Sequence, residues 1–176
     1  MRLKILALTC VMCLALFAGC SKEPHYTVEI TPNPSEVTTV ISTEDELYER
    51  VDGWADRLEI MASDITTAYD GWVAEEITKE EYSAEIERIN GEMALLKKES
   101  DLKTEYELDG TDEEHLKWDN LLLAYDNAKN DLNSFLVLSQ ELATDEEVRE
   151  MYKNRVVENF PGSLELIKEY VEEYSK

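Results

Sequence analysis

Beyond residue 20 the sequence has no cysteine, since its only three are Cys10, Cys13 and Cys20. The rest of the chain therefore holds no disulfide and no thiol nucleophile, and packing alone must stabilise it. Cys10 and Cys13 form a Cys-x-x-Cys, but both sit inside an apolar run that is itself expected to be discarded. Glycine and proline are scarce, at six and four in 176 residues, and Pro24, Pro32 and Pro34 all precede the main body. Basic side chains are outnumbered, 17 against 40 acidic, for a formal net charge of −23. No basic patch interrupts that acidity, so nucleic acid and anionic lipid head groups are repelled and nucleic-acid partners are excluded. Catalytic parts are missing too. There is no Gly-x-Ser-x-Gly, no glycine-rich phosphate loop and no cluster of Ser, His and Asp.

Metal chemistry finds little to build on. Glu105, Glu107, Asp109 and Gly110 mimic the first half of an EF-hand loop, but Leu116 stands where the closing bidentate carboxylate belongs. Asp112-x-x-His115 has the spacing of one carboxylate-histidine pair of a di-iron bundle. Such bundles need two pairs and further inward glutamates, and the only other histidine, His25, lies in the segment before the body. No metal and no cofactor are expected.

What is present starts at the N-terminus. Met1-Arg2-Leu3-Lys4 is a short basic start, and Ile5 to Ala18 is an apolar run of 14 residues. A bilayer-spanning helix needs roughly 20, whereas this length suits the core of a signal peptide. The run ends in Leu16-Phe17-Ala18-Gly19-Cys20, which resembles the lipobox of bacterial lipoproteins, with Phe17 departing from the commoner leucine. The resemblance implies cleavage between Gly19 and Cys20, lipid on the Cys20 thiol, and anchoring on the extracytoplasmic face of a bacterial membrane. Ser21 after the cysteine would suit outer-membrane sorting in a host that has one. Residues 1–19 are thus read as a signal peptide, 20–42 as the lipidated cysteine and a flexible tether, and 43–176 as an acidic helical body. Tyr26, Val28 and Ile30 alternate as a short strand would, within the tether.

From Thr43 onward the pattern is helical. Thr43/Glu46, Thr78/Glu81, Thr111/Glu114 and Thr144/Glu147 are four capping boxes, spaced 35, 33 and 33 residues apart. They mark four helix starts. Leu47, Val51, Trp54, Leu58, Met61, Ile65, Ala68 and Trp72 step by three and four without a break, as a coiled-coil-like seam does. Tyr82, Ile86, Ile89, Met93 and Leu96 continue the pattern in a second helix, which loses regularity through Leu102 and Tyr106. Trp118, Leu121, Tyr125, Ala128, Leu132, Phe135, Ser139 and Leu142 form a third seam. Val148, Met151 or Tyr152, and Val156 open a fourth, expected to break at Pro161-Gly162, with Leu164, Ile167, Val171 and Tyr174 beyond. Long helices on short links fold back on one another, so the fold class expected is all-α: an antiparallel up-down bundle of about four long helices. The link at Ala143-Thr144 lacks glycine and proline, leaving open whether the third and fourth helices are one bent rod.

Tyr152, Asn154, Val156, Phe160 and Pro161 resemble the Tyr-Asn…Val…Phe-Pro signature near the end of the helical domain of LemA-type membrane-anchored proteins. The spacing differs by a residue and a second Tyr-Asn pair is absent, so no family is assigned to the helical part. Asp-Gly-Trp occurs twice, at Asp52-Gly53-Trp54 and Asp70-Gly71-Trp72, five helical turns apart on one face. Trp54, Trp72 and Trp118 are read as bundle core, with a tryptophan-lined ligand groove as the functional alternative. The function expected is that of a non-enzymatic envelope lipoprotein, joined to the membrane through Cys20, whose bundle binds another envelope protein or peptide. The alternatives are a spacer that associates with its own copies and a small-molecule binding module.

Overall fold

The structure is a computed structural model that describes residues 39–141 and 144–174. The basic start, the apolar run, Gly19, Cys20, the alternating Tyr26, Val28 and Ile30, and Leu142 lie outside the described residues.

Four helical rods make the body. Helix α1 is Glu44–Val73, α2 is Lys79–Lys97, α3 is Asp112–Glu141, α4 is Asp145–Tyr152 and α5 is Phe160–Tyr174. The last two are joined by a π-helical segment, Lys153–Asn159, into a single helical run. All eight positions of the first seam are buried, as are the five of the second and every described position of the third. Helix α1 packs on α2, α3 and α5, and α3 packs on α2 and α5, so these seams close on each other within one chain. The all-α bundle expected from apolar spacing is the fold observed.

The four boxes cap four helix starts. Thr78 and Thr144 each accept from the N–H three residues on, while Glu81 and Glu147 accept from the threonine N–H. Thr111 and Glu114 bond reciprocally in the same way. At the first box Thr43 accepts from the Glu46 N–H, but the Glu46 carboxylate reaches one residue further back, to the Ser42 N–H at 3.1 Å. These bonds to backbone and hydroxyl groups hold the Glu46, Glu81 and Glu114 carboxyls below the usual range. Thr144, extended at φ −126°, settles that α3 and α4 are separate helices.

Two departures from the sequence reading concern chain path. The break expected at Pro161-Gly162 is a change of winding and not a stop. Proline lacks the N–H that an α-turn would use. The chain meets it by widening to π geometry just before, where the Phe160 N–H bonds the Arg155 carbonyl, and then runs on helically to Tyr174. The second departure is at the tether. Its last residues belong to the body, because β1, Thr39–Ile41, pairs in parallel with β2, Thr104–Tyr106. Ile41 is buried in the core. The loss of helical rhythm after Leu96 has the same origin: a second π-helical segment, Lys98–Leu102, leads into β2.

Lys129 and Asp131, both on α3, are buried, at 5% and 8% exposure. Each pins one π-helical segment. Lys129 bonds Asp101 at 2.5 Å and Asp126 at 2.7 Å, and Arg155 bonds Asp131 at 2.8 Å. Buried charge is costly unless paired, and here each of the two faces a partner of opposite sign. The pairing fixes where the irregular segments sit against the regular rod.

Candidate functional site

A groove lies between β1 and the first half of α1. Arg50, Gly53, Trp54 and Arg57 follow the i, i+3, i+4, i+7 pattern, so one face of α1 presents all four. The π-helical segment Lys98–Leu102 sets Glu99 against that face. A Thr104 hydroxyl bond to the Glu99 carbonyl, 2.8 Å, ties the segment to β2. The result is a groove of about 470 Å³, lined by β1 on one side, by Glu46, Glu49, Arg50, Gly53 and Arg57 on the other, and by Trp54 and Glu99. That volume falls within the range of small-ligand pockets.

The polar core of the groove is Glu99. It accepts from the Trp54 indole N–H at 3.0 Å and from Arg57 at 2.8 Å, and Arg50 approaches to 3.9 Å. The indole bond first, and then the Arg57 guanidinium, hold its carboxyl below the usual carboxylate range. Glu99 is thus fixed as an anion at neutral pH. Gly53 contributes open space, for a Cβ added there would meet nothing within 4 Å.

The strand side supplies backbone. In a parallel pair, one strand's residues alternate between bonding the neighbour and facing away. The Thr39 N–H donates to Lys103, and the Ile41 carbonyl accepts from the Glu107 N–H. The Val40 N–H and carbonyl therefore point away from β2. Three consecutive residues of β1 line the groove, so it is the strand's edge that borders it. Among the described residues the sheet has two strands, leaving that edge of β1 without a partner strand.

The three tryptophans do not share a groove. Trp54 and Trp72 are 18 residues apart on one helix, about 27 Å at 1.5 Å per residue. Trp54 packs on Tyr125, centroids 5.2 Å apart, and reaches this groove with its edge. Trp72 is enclosed by other groups: Tyr82 stacks on it at 4.9 Å, Tyr69 meets it edge-on at 6.0 Å and Arg149 covers its ring at 5.3 Å. Trp118 sits near the start of α1, its indole N–H on Glu44 at 3.2 Å and its ring beside His115. A tryptophan-lined ligand groove is therefore not formed; the rings are spread along the bundle's length as core.

The EF-hand mimic resolves into other roles. Glu105 lies within β2, and a Cβ on Gly110 would collide with the Trp118 ring. Gly110 thus serves close packing. Among the described residues no three His, Cys, Asp or Glu side chains come together as metal ligands would, and no helix is long and apolar enough to cross a membrane. Tyr152, Val156 and Phe160 of the LemA-like stretch are buried core positions, and Tyr152 stacks on Tyr69 at 3.7 Å.

Sequence reasoning missed the β1 groove. Glu99 lies 45 residues from Trp54, brought there by a π-helical segment that has no clear sequence signature. The legible signal was Arg50 and Arg57 flanking Gly53-Trp54, two of the few basic residues in an acidic chain. The fold and groove define the chain as an acidic helical bundle with a short strand edge beside one rod. No protein-family model matches the sequence, and no curated protein and no solved structure matches it either.

Proposed function

We propose that this chain is a lipoprotein of the bacterial envelope, anchored through lipid on Cys20, and that its bundle is a non-enzymatic module binding another protein or peptide. The observation that carries the anchor is Leu16-Phe17-Ala18-Gly19-Cys20 placed directly after a basic start and a 14-residue apolar run. Its supporting logic is physical: a surface of net charge −23 gains nothing from anionic lipid, so a membrane link has to be covalent. The binding role is supported by the groove beside β1, which offers the outward N–H and carbonyl of Val40. The non-enzymatic reading is supported by the sequence, which carries no Gly-x-Ser-x-Gly, no glycine-rich phosphate loop and no cysteine beyond Cys20. Regular seams would also suit self-association, but the described seam positions are buried within a single chain, which favours the binding role.

The anchor is tested by metabolic labelling with a fatty-acid analogue and by the mass of the N-terminal peptide. The expected result is a labelled protein beginning at an acylated Cys20, with Cys20→Ala unlabelled and unprocessed. An unlabelled wild-type chain, or one starting at another residue, would contradict it. Cross-linking at the cell surface tests the binding role; recovery of a specific envelope protein is expected.

A further inference from the structure

We propose that Asp109-Gly110 is a site of spontaneous covalent modification, where the chain closes to a succinimide and reopens in part as isoaspartate. This chemistry is independent of what the bundle binds.

Aspartate followed by glycine is prone to this reaction, because glycine has no Cβ to shield its backbone nitrogen. The sequence holds three such pairs, Asp52-Gly53, Asp70-Gly71 and Asp109-Gly110. The fold separates them. The first two lie inside α1, where each glycine N–H is committed to the carbonyl four residues back. Closing the ring there requires the helix to open first. Asn90-Gly91, the corresponding asparagine pair, lies inside α2 in the same state. Asp109-Gly110 belongs to neither helix nor strand. It sits in the link 107–111 between β2 and α3, and both of its residues are exposed. That link is tied at its two ends: the Glu107 N–H donates to the Ile41 carbonyl at 2.8 Å, and the Thr111 N–H to the Glu114 carboxylate at 2.7 Å. Between these anchors Leu108 packs on the core, and no described residue accepts from the Gly110 N–H.

The Gly110 nitrogen attacks Cγ of Asp109. An N–Cγ bond forms, and the carboxyl hydroxyl leaves with the amide proton as water. Water then adds back to one of the two ring carbonyls. Opening at Cγ restores aspartate. Opening at the main-chain carbonyl routes the backbone through Cγ, one carbon longer, and leaves a carboxylate on Cα. The extra carbon has a structural consequence. Gly110 is packed so closely on Trp118 that an added Cβ would collide with the ring. The Trp118 indole N–H in turn bonds Glu44, in the first turn of α1, at 3.2 Å. Isoaspartate at 109 therefore displaces Gly110 from Trp118 and loosens the contact of α3 with the start of α1.

The three pairs fall in three different tryptic peptides, 51–57, 58–79 and 104–117, so one digest reads all of them. The full chain in detergent is kept warm in heavy-oxygen water at mildly acidic and at neutral pH, then digested in ordinary water. Each ring opening adds one heavy oxygen, and fragmentation of the peptide distinguishes isoaspartate from aspartate. Peptide 104–117 is expected to gain both more than about a hundredfold faster than 51–57, since reaction inside α1 waits on local opening of a core helix. In urea the three rates are expected to converge. Asp109→Glu keeps the charge but needs a larger ring, and is expected to remove the signal from 104–117 with helical circular dichroism unchanged. Tryptophan emission of the aged wild-type chain is expected to shift to the red, and that of aged Asp109→Glu to stay in place. No heavy oxygen in 104–117, or equal rates in all three peptides of the folded chain, overturns the proposal. Rates that stay far apart in urea overturn the role given to the fold. Signal in 104–117 that persists in Asp109→Glu assigns the reaction to Asp112 and overturns it as well. An unchanged emission spectrum in a chain rich in isoaspartate overturns the displacement from Trp118.

Discussion

The tripeptide Asp-Gly-Trp stands twice on α1, five turns apart on one face, and the two copies end in opposite surroundings. At Gly53-Trp54 the indole N–H is tied to Glu99 in a π-helical segment, and the glycine faces open space beside a strand edge. At Gly71-Trp72 the indole is packed by Tyr69, Tyr82 and Arg149, and a Cβ on the glycine would touch Ile77 at 3.5 Å. Both copies border an opening, Trp72 beside Ile77 and Thr78 and Trp54 beside β1. Trp72 is the more exposed ring, 9% against 1%, so the copies differ in which groups enclose the indole. What differs is the element that crosses above: a short, irregular, charged segment at Trp54, and aromatic helices at Trp72. Local sequence sets which face a residue occupies; distant sequence sets whether that face is filled.

The comparison breaks most sharply if both rings are removed. Trp54→Ala and Trp72→Ala are each expected to cost roughly 3–5 kcal/mol in urea unfolding, since both rings are buried core despite their different rims. A loss below about 1 kcal/mol at Trp54 would show that the groove end is not core at all. Next come the glycines. Gly53→Leu is expected to gain up to about 1 kcal/mol from better helix propensity, while Gly71→Leu gains less, because its side chain must share space with Ile77. Equal effects of the two leucines, read as shifts in urea midpoint, would erase the distinction between the two glycine surroundings.

A smaller effect concerns the turn after Trp72. Glu75 has φ 60°, a left-handed conformation that costs an L-residue roughly 1–2 kcal/mol and glycine little. Glu75→Gly is expected to raise stability by about 1 kcal/mol, and an unchanged or lowered thermal midpoint would contradict it. The least effect is electrostatic. Glu99 is held below its ordinary range in the folded chain, so its contribution is full above the unfolded value near pH 4.3 and is lost as pH falls through the lower folded value. Glu99→Gln is expected to flatten the wild-type loss of stability below about pH 4. Parallel pH profiles for the two chains would show that the indole and Arg57 bonds do not favour the charged form.

Much of the fold was legible because helix starts and seams are local. Four Thr-x-x-Glu boxes and an unbroken step of three and four named the rods and their buried faces, and Trp72, Ile89 and Leu132 lie where the rhythm put them. The irregular parts were not legible for a reason equally physical. A π-helical segment differs from an α-helix by one residue per turn and is fixed here by contacts with α3: Asp101 with Lys129, and Arg155 with Asp131. Those pairs join residues 28 and 24 positions apart, outside any periodic window. Strand β1 is three residues long and its partner lies beyond two helices, so no local pattern announced it. Of the candidate site, Trp54 was noticed for its repeat; the neighbours that make it a site were not.

Hydrogen exchange at single amides of the full chain tests the central structural claim most directly, that β1 presents an open edge beside Trp54. The Val40 amide is expected to exchange much faster than those of Thr39 and Ile41, which bond β2. Protection of Val40 equal to that of its two neighbours would contradict it, because the edge would then already be paired.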